Sequence, residues 1–279
     1  MGKVKPRAGE NDRYLLYIDI LGFSDLVTSK SPRVHDLYEV IASLNVHQHQ
    51  SFRAIVFSDT IVVYNVRRPR TAHDRHYLVM YLCEFAQDLQ HRLIGRGVLF
   101  RAVLVRGDFI HYEINSVPCF FGSALIDAYR SEKKIKAIGL FMDRSIVRDS
   151  DIFQTRPFNE KYHFVFITQN LNTIEDLHGG IFPIDRFSLE ASDLIYFLVP
   201  EILHLKQLND LATSHEDEEV RLKCNNTLAL FRARYPQLLE SLEATKFSLE
   251  AISPGANWTK VTSRFPEDYS YAVKKKVVY

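Results

Sequence analysis

The chain has only three cysteines, Cys83, Cys119 and Cys224, among 279 residues. They are widely spaced, odd in number and form no Cys-x-x-Cys pair. That excludes a disulfide framework and a structural zinc finger, and fits a reducing compartment. Long hydrophobic runs are missing as well: the apolar stretch at residues 194–199 is far too short to span a bilayer. The opening MGKVKPRAGENDR has no apolar core, so no secretion signal is read. Gly2 lacks a Ser or Thr at the usual myristoylation position, which disfavours a lipid anchor. Neither sign of charge dominates, because 35 Lys+Arg against 34 Asp+Glu leave a net charge of +1. A broad, sequence-independent grip on nucleic acid is therefore disfavoured. These absences predict a cytoplasmic protein with neither DNA nor a membrane as partner.

What is present is ordinary globular composition, with 46% hydrophobic and 25% charged residues. At about 150 residues per domain, the length predicts one to two domains. Residues 14–20 (YLLYIDI) form a short aromatic and branched run punctuated by Gly22, which reads as a buried central strand. Helical spacing follows at 32–46. Two β-rich stretches, 52–57 and 61–66, flank Ser58-Asp59-Thr60 and read as a hairpin. Residues 76–93 predict an amphipathic helix. A strand at 98–105, a bend at Gly107-Asp108, a strand at 109–112, a helix at 123–136 and a strand at 138–142 complete the series. The order β, α, β, β, α, β predicts an α+β fold of ferredoxin-like type, a mostly antiparallel sheet covered by helices. Residues 188–205 and 216–242 read as helices broken by Pro200 and Pro236. The expected organisation is a disordered terminus at 1–12, a catalytic domain at 13–185 and a helical C-terminal extension at 186–279.

Four segments carry candidate chemistry. Asp19 interrupts an apolar strand, and a buried carboxylate is costly unless it is paired or holds a metal; the other reading is a strand-end cap for the next helix. Gly22, three residues on, allows close backbone approach to a ligand. Asp59 is by itself an ordinary turn residue. In this strand order, however, it can converge with Asp19, and two such carboxylates repel unless a hard cation lies between them. The Ile20 carbonyl is a further oxygen donor beside them. Arg101 interrupts a strand pattern, where a guanidinium suits either phosphate or a core acid. On the helix at 123–136, Ile126 and Arg130 share a face, while Asp127 and Arg130 could instead simply pair.

Together these segments resemble class III nucleotidyl cyclases over residues 13–148. Tyr17-Ile18-Asp19-Ile20-Leu21-Gly22-Phe23 looks like that family's first-strand motif, and Ser58-Asp59 like the hairpin carrying its second metal aspartate. FRAVLVRG, with Arg101, is similar to the strand whose arginine contacts triphosphate. Gly122 to Arg130 resembles the family's G-x-x-V-N-x-A-x-R, whose last arginine stabilises the transferring phosphate. The chain departs from the pattern at three places: the ribose-orienting asparagine falls on Ile126, the purine-reading Lys or Glu on Ile55, and its partner on Cys119. An aliphatic Ile55 cannot hydrogen-bond a purine edge, which implies altered specificity or lost activity.

The spellings Ile-Leu-Gly-Phe and Phe-Ser-Asp, the FGSALIDAYRSEK helix and the helical tail look most like the pyrimidine cyclases of Pycsar anti-phage systems, which make cyclic UMP or cyclic CMP. That resemblance implies a class III nucleotidyl cyclase-like α+β fold with a C-terminal helical extension. It also implies two Mn2+ or Mg2+ ions per site and a nucleoside triphosphate substrate, with UTP favoured over CTP. The partners it implies are a second copy in a homodimer with composite active sites and an effector protein activated by the product. The implied catalytic residues are Arg130 and Arg101; the implied metal set is Asp19, Ile20 and Asp59; the implied phosphate set is Gly22, Phe23 and Arg101; the implied base pocket is Ile55, Phe57 and Cys119. The alternatives are a catalytically inactive cyclase-like binding or scaffold domain, and a guanylate or adenylate cyclase, which only Cys119 favours. Diguanylate cyclases and polymerase palms lack support, because the acidic pair of a GG[DE]EF-type hairpin is absent. His47-Gln48-His49 has metal-compatible spacing without a third ligand and reads as surface. Arg67-Arg68-Pro69-Arg70 and Lys274-Lys275-Lys276 read as solvated loop and tail, and Trp258 has no assigned role.

Overall fold

The computed structural model describes residues 11–29, 31–94, 96–178, 182–191 and 195–262. The expectations for residues 1–10 and for the lysines at 274–276 lie outside these. The chain separates into two compact units. The first takes the chain up to Asp88 with Phe100–Ile135 and Gly139–Ile167; the second takes Leu89–Leu99, Lys136–Ile138 and the chain from Thr168 onward. The sequence boundary at 185 falls inside the second unit.

The first unit is α+β. Its strands are β1 (Asp12–Leu21), β2 (Phe52–Phe57), β3 (Thr60–Asn65), β4 (Leu99–Asp108), β5 (Ile110–Ile114), β6 (Val117–Phe121), β7 (Gly139–Asp143), β8 (Thr155–Pro157) and β9 (Tyr162–Val165). Its helices are α1 (Phe23–Thr28), α2 (Arg33–Ala42), α3 (Ala72–Leu93, whose last turn belongs to the second unit) and α4 (Ser123–Glu132). Seven strands form one sheet in the order β2-β3-β1-β4-β7-β9-β8, while β5 and β6 form a separate ribbon. The stretch β2-β3-β1-β4 is the strand order of a ferredoxin-like motif. Pairing is antiparallel for β1–β3, β2–β3, β7–β9 and β8–β9, and parallel for β4–β7.

The central strands explain the near-continuous apolar runs in the sequence. Tyr14, Leu15 and Leu16 of β1 and Ala102, Val103 and Leu104 of β4 are fully buried, as expected for strands covered on both faces. Asp12 is ordered, contrary to its assignment to a disordered terminus. Its carboxylate accepts two N–H groups of Arg106 at 3.0 and 2.7 Å, and the Asn11 carbonyl accepts the Phe109 N–H at 2.9 Å. These contacts pin the start of β1.

Boundaries differ from the sequence reading where local chemistry intervenes. The helix expected at 32–46 stops at Ala42, and a separate single-turn helix follows at Asn45–Gln48. Helix α3 starts four residues early, at Ala72, where the Thr71 hydroxyl accepts the Asp74 N–H at 3.0 Å. Helix α4 ends at Glu132 rather than 136, and its last turn tightens: the Lys134 and Ile135 N–H groups reach back three residues. The β5–β6 ribbon turns on Asn115 and Ser116, both at positive φ (50° and 65°), the backbone that matches strand twist in a two-residue hairpin.

The second unit contains α5 (Gln169–His178), α6 (Arg186–Ala191), α7 (Ile195–Ser214), α8 (Glu218–Arg234), α9 (Pro236–Ala244) and α10 (Trp258–Thr262). Pro236 opens α9 at its first turn, where a missing N–H costs nothing. Pro200 does not break the helix expected around it; α7 runs through. Trp258 is buried and donates its indole N–H to the Ser253 carbonyl at 3.1 Å. Among the described residues, no helix is long and apolar enough to cross a membrane.

Candidate active site

Strand β1 carries Asp19 toward its C-terminal end, seven residues after the Asp12 that opens it. Asp19 lies opposite Thr60, and the Ile20 N–H donates to the Asp59 carbonyl at 2.9 Å. The β2–β3 turn is a two-residue loop, Ser58-Asp59, closed by the Phe57–Thr60 pair, with Ser58 held at φ 54°. The two aspartates predicted to converge therefore occupy adjacent cross-strand positions at one end of the hairpin.

Tyr17, two residues before Asp19 and on the same strand face, senses both carboxylates. Burial raises its hydroxyl above the ordinary range, a 3.4 Å contact with the Thr60 hydroxyl opposes the shift, and the charges of Asp19 and Asp59 each add to the rise. The fields of the two acids thus meet at one phenol. The donor set is oxygen alone, and the Asp19 side chain keeps 23% of its surface exposed. That chemistry fits a hard divalent cation. Among the described residues, no three His, Cys, Asp or Glu side chains gather. A cation here would complete its shell from main-chain, water and substrate oxygens.

The turn after β1 lies on the same side of the unit as the hairpin tip. Gly22 adopts φ 81° and leads into α1, and a Cβ there would meet open space, so it is the left-handed backbone that calls for glycine. Phe23 is buried and packs edge-on against Tyr38 of α2, with ring centroids 6.0 Å apart. The Tyr38 hydroxyl donates to the Ser58 carbonyl at 3.1 Å. One tyrosine thereby links the glycine turn to the tip of the hairpin.

Arg101 departs from its expected role. It was read as a triphosphate contact, yet its side chain is 7% exposed and ion-paired with Glu132 of α4. It also donates to the Ile135 carbonyl at 2.7 Å and stands 3.9 Å from the Asp19 carboxylate. The cause is its place on β4, a central strand whose side chains are covered. In this arrangement the Arg101 guanidinium is covered and lies between Glu132 and Asp19 rather than meeting solvent.

Helix α4 packs across β1 and divides into two faces. Ala124, Ala128 and Glu132 are buried at four-residue spacing, whereas Ile126, Tyr129 and Arg130 are exposed. Ile126 and Arg130 share the exposed face, as their spacing predicts. Tyr129 meets Tyr17 edge-on with ring centroids 6.3 Å apart, and the Lys133 ammonium lies 4.2 Å from the Tyr129 ring centroid. Gly122, just before α4, has a steric role: a Cβ there would come 2.0 Å from the Asp108 carbonyl oxygen.

The expected base-pocket residues are divided between two sheets. Ile55 and Phe57 share one face of the edge strand β2, with Phe57 74% exposed. Cys119 is on the β5–β6 ribbon, opposite Tyr112. His47 and His49 do not form a metal site. A His47 ring nitrogen contacts the Ile41 carbonyl at 2.8 Å, and His49 packs against Phe52 and Tyr81.

Sequence reasoning missed Tyr17, Tyr38 and Glu132. Signals existed for two of them: Tyr17 precedes Asp19 by the two-residue strand period, and Glu132 continues the stripe of Ala124 and Ala128. Nothing local marks Tyr38.

No protein-family model matches the chain, and no curated protein matches it. Among solved structures it is similar to the adenylyl cyclase CyaB from P. aeruginosa, at 12% identity, covering 56% of this chain and 93% of that one, with a TM-score of 0.41. It is similar to the guanylyl cyclase domain of the RhoGC fusion protein from Blastocladiella emersonii, at 13% identity, covering 56% and 96%, with a TM-score of 0.41. A third is the guanylate cyclase domain of RhGC from Catenaria anguillulae in complex with GTP, at 12% identity, covering 56% and 97%, with a TM-score of 0.40. Likeness at this level leaves the function to the chain's own residues.

Proposed function

We propose that this protein is a nucleotidyl cyclase that converts a pyrimidine nucleoside triphosphate, UTP in preference to CTP, to its 3′,5′-cyclic monophosphate and pyrophosphate. The observation that carries the reading is the cross-strand placement of Asp19 and Asp59, whose charges act together on Tyr17. Mn2+ or Mg2+, two ions per site, would be held by these carboxylates and the Ile20 carbonyl, and would supply Lewis-acid activation of the ribose hydroxyl and the triphosphate.

The chain's own groups do the rest. The open turn at Gly22 and Phe23 offers main-chain N–H groups to phosphate oxygens. Arg101, held by Glu132, fixes the orientation of Asp19. Arg130, exposed on α4 and supplied by the partner in a homodimer, neutralises charge on the transferring phosphate as pyrophosphate leaves. Aliphatic Ile55 stands where a purine edge would be read in related enzymes, which supports a pyrimidine base. An anti-phage second messenger acting on an effector protein is the corresponding biological role.

The alternative, a cyclase-like domain without turnover, is favoured by one observation: Arg101 is buried and committed to Glu132. Subunit exchange separates the two. Asp19→Ala and Arg130→Ala chains, each inactive alone, recover one working site per heterodimer when mixed. Activity in neither the wild type nor the mixture points to the inactive domain; an active wild type without rescue removes the shared site.

A further inference from the structure

A concave site lies in the first unit, at the end of the paired strands β1 and β3 remote from Asp19 and Asp59. Arg13 is the second residue of β1, six before Asp19 and about 20 Å away at the strand rise, and Arg53 is the second residue of β2, opposite Tyr64. The loop from β3 to α3 brings Arg67, Arg68 and Arg70 to the same cleft, whose volume is about 1360 Å³. Burial raises the Tyr64 hydroxyl, and the charges of Arg53 and Arg13 oppose that rise, so both guanidinium groups act on one sheet face.

The loop is held in place by the fold. Asn65, fully buried, accepts the Tyr14 N–H at 2.7 Å and donates to the Arg67 carbonyl at 2.7 Å. The Asp74 carboxylate accepts the Arg70 and Thr71 N–H groups at 2.7 and 3.0 Å. Pro69 is buried, whereas Arg67, Arg68 and Arg70 are exposed. Five arginines thus line the cleft with a single acidic residue, Asp74, whose charge is already engaged by backbone donors. Asp12 stands 3.9 Å from Arg68 but is held closely by Arg106.

We infer that this cleft binds an anion bearing several phosphates. Arginine forks match phosphate oxygens two at a time, and the side chain of Tyr77 adds an aromatic wall. The volume exceeds the roughly 300–1,000 Å³ of small-ligand pockets, which suits an extended chain of phosphates. The sources of such chemistry are a single-stranded nucleic acid and a compact polyphosphate. The near-zero net charge does not oppose this, because the positive charge is concentrated locally.

The test uses a fluorescein-labelled single-stranded RNA 12-mer and inorganic tripolyphosphate, both in EDTA so that cation-dependent binding near Asp19 is silent. At least one probe binds the full-length protein. The variant Arg53→Ala/Arg68→Ala/Arg70→Ala weakens that binding at least tenfold and lowers the salt slope for RNA by about 2, at about 0.7 per phosphate contact. The Lys triple variant, which keeps the charge, retains the slope while losing the two-pronged contacts. RNA binding identifies a phosphodiester strand; binding of tripolyphosphate alone identifies a compact polyphosphate. The inference is overturned if neither probe binds, if the Ala variant binds as the wild type does, or if oligoglutamate binds as tightly as the phosphate probes. Unchanged thermal melting of both variants excludes unfolding as the cause.

Discussion

The buried pair beneath Asp19 yields the sharpest prediction. Glu132→Gln keeps the shape of the side chain but removes the charge that neutralises Arg101, whose side chain is 7% exposed. Removing one partner of such a pair costs about 3–5 kcal/mol. The Asp19 carboxylate at 3.9 Å and the Ile135 carbonyl at 2.7 Å partly compensate, which places the expected loss near 3 kcal/mol. For a unit of this size that lowers the melting temperature by roughly 6–12 °C. The double variant Arg101→Met/Glu132→Leu removes both charges of the pair; it leaves the Ile135 carbonyl without this donor and the partly exposed Asp19 carboxylate without its neighbouring cation, a cost of about 1–3 kcal/mol. It therefore recovers stability relative to Glu132→Gln while losing turnover, because no guanidinium remains to orient Asp19. Thermal melts and urea titrations measure the first quantity, and product formation the second. The reasoning fails if Glu132→Gln melts within 2 °C of the wild type, or if the double variant is the less stable of the two.

Other predictions follow from single contacts. Gly122→Ala forces a Cβ to within 2.0 Å of the Asp108 carbonyl oxygen, so it costs about 2–4 kcal/mol, read as a lowered urea midpoint. Glu201 is pushed up to about 8 by burial, against hydrogen bonds from Asn170 and Leu171; His204 is pushed down to about 4 by burial and by His91. Between the ordinary values of 4.5 and 6.5, the proton kept by folded Glu201 offsets the one that folded His204 excludes. From pH 6.5 to 8 only Glu201 remains linked, and stability of the second unit falls by about 2 kcal/mol as pH rises. Glu201→Gln abolishes that fall; an unchanged slope in this range would remove Glu201 from the account. Asp59→Ala eliminates cyclic nucleotide formation while size-exclusion elution stays that of the wild type, and retained turnover would take Asp59 out of the mechanism.

Much of the first unit was legible because strand burial writes itself into local composition. The apolar run around Asp19, the hairpin at Ser58-Asp59 and the shared face of Ile126 and Arg130 each follow from periods of two or 3.6 residues. What was not legible depends on partners distant in sequence. Arg101 was readable either as a phosphate contact or as half of a buried pair, and only the packing of α4 brings Glu132 to it. Helix α7 passes through Pro200 although the local rule calls for a break. The β5–β6 ribbon turns on Asn115-Ser116 rather than an Asn-Gly pair, a weaker turn signal, and its second strand is not read from the sequence.

The central claim is that Asp19 and Asp59 serve one cation-dependent cyclisation of a pyrimidine nucleotide. Its most direct test is incubation of the protein with each of the four nucleoside triphosphates and Mn2+, with products identified by mass. The account predicts a 3′,5′-cyclic monophosphate and pyrophosphate from UTP, with less from CTP and no cyclic product once EDTA is added. Absence of a cyclic product from every triphosphate would contradict it.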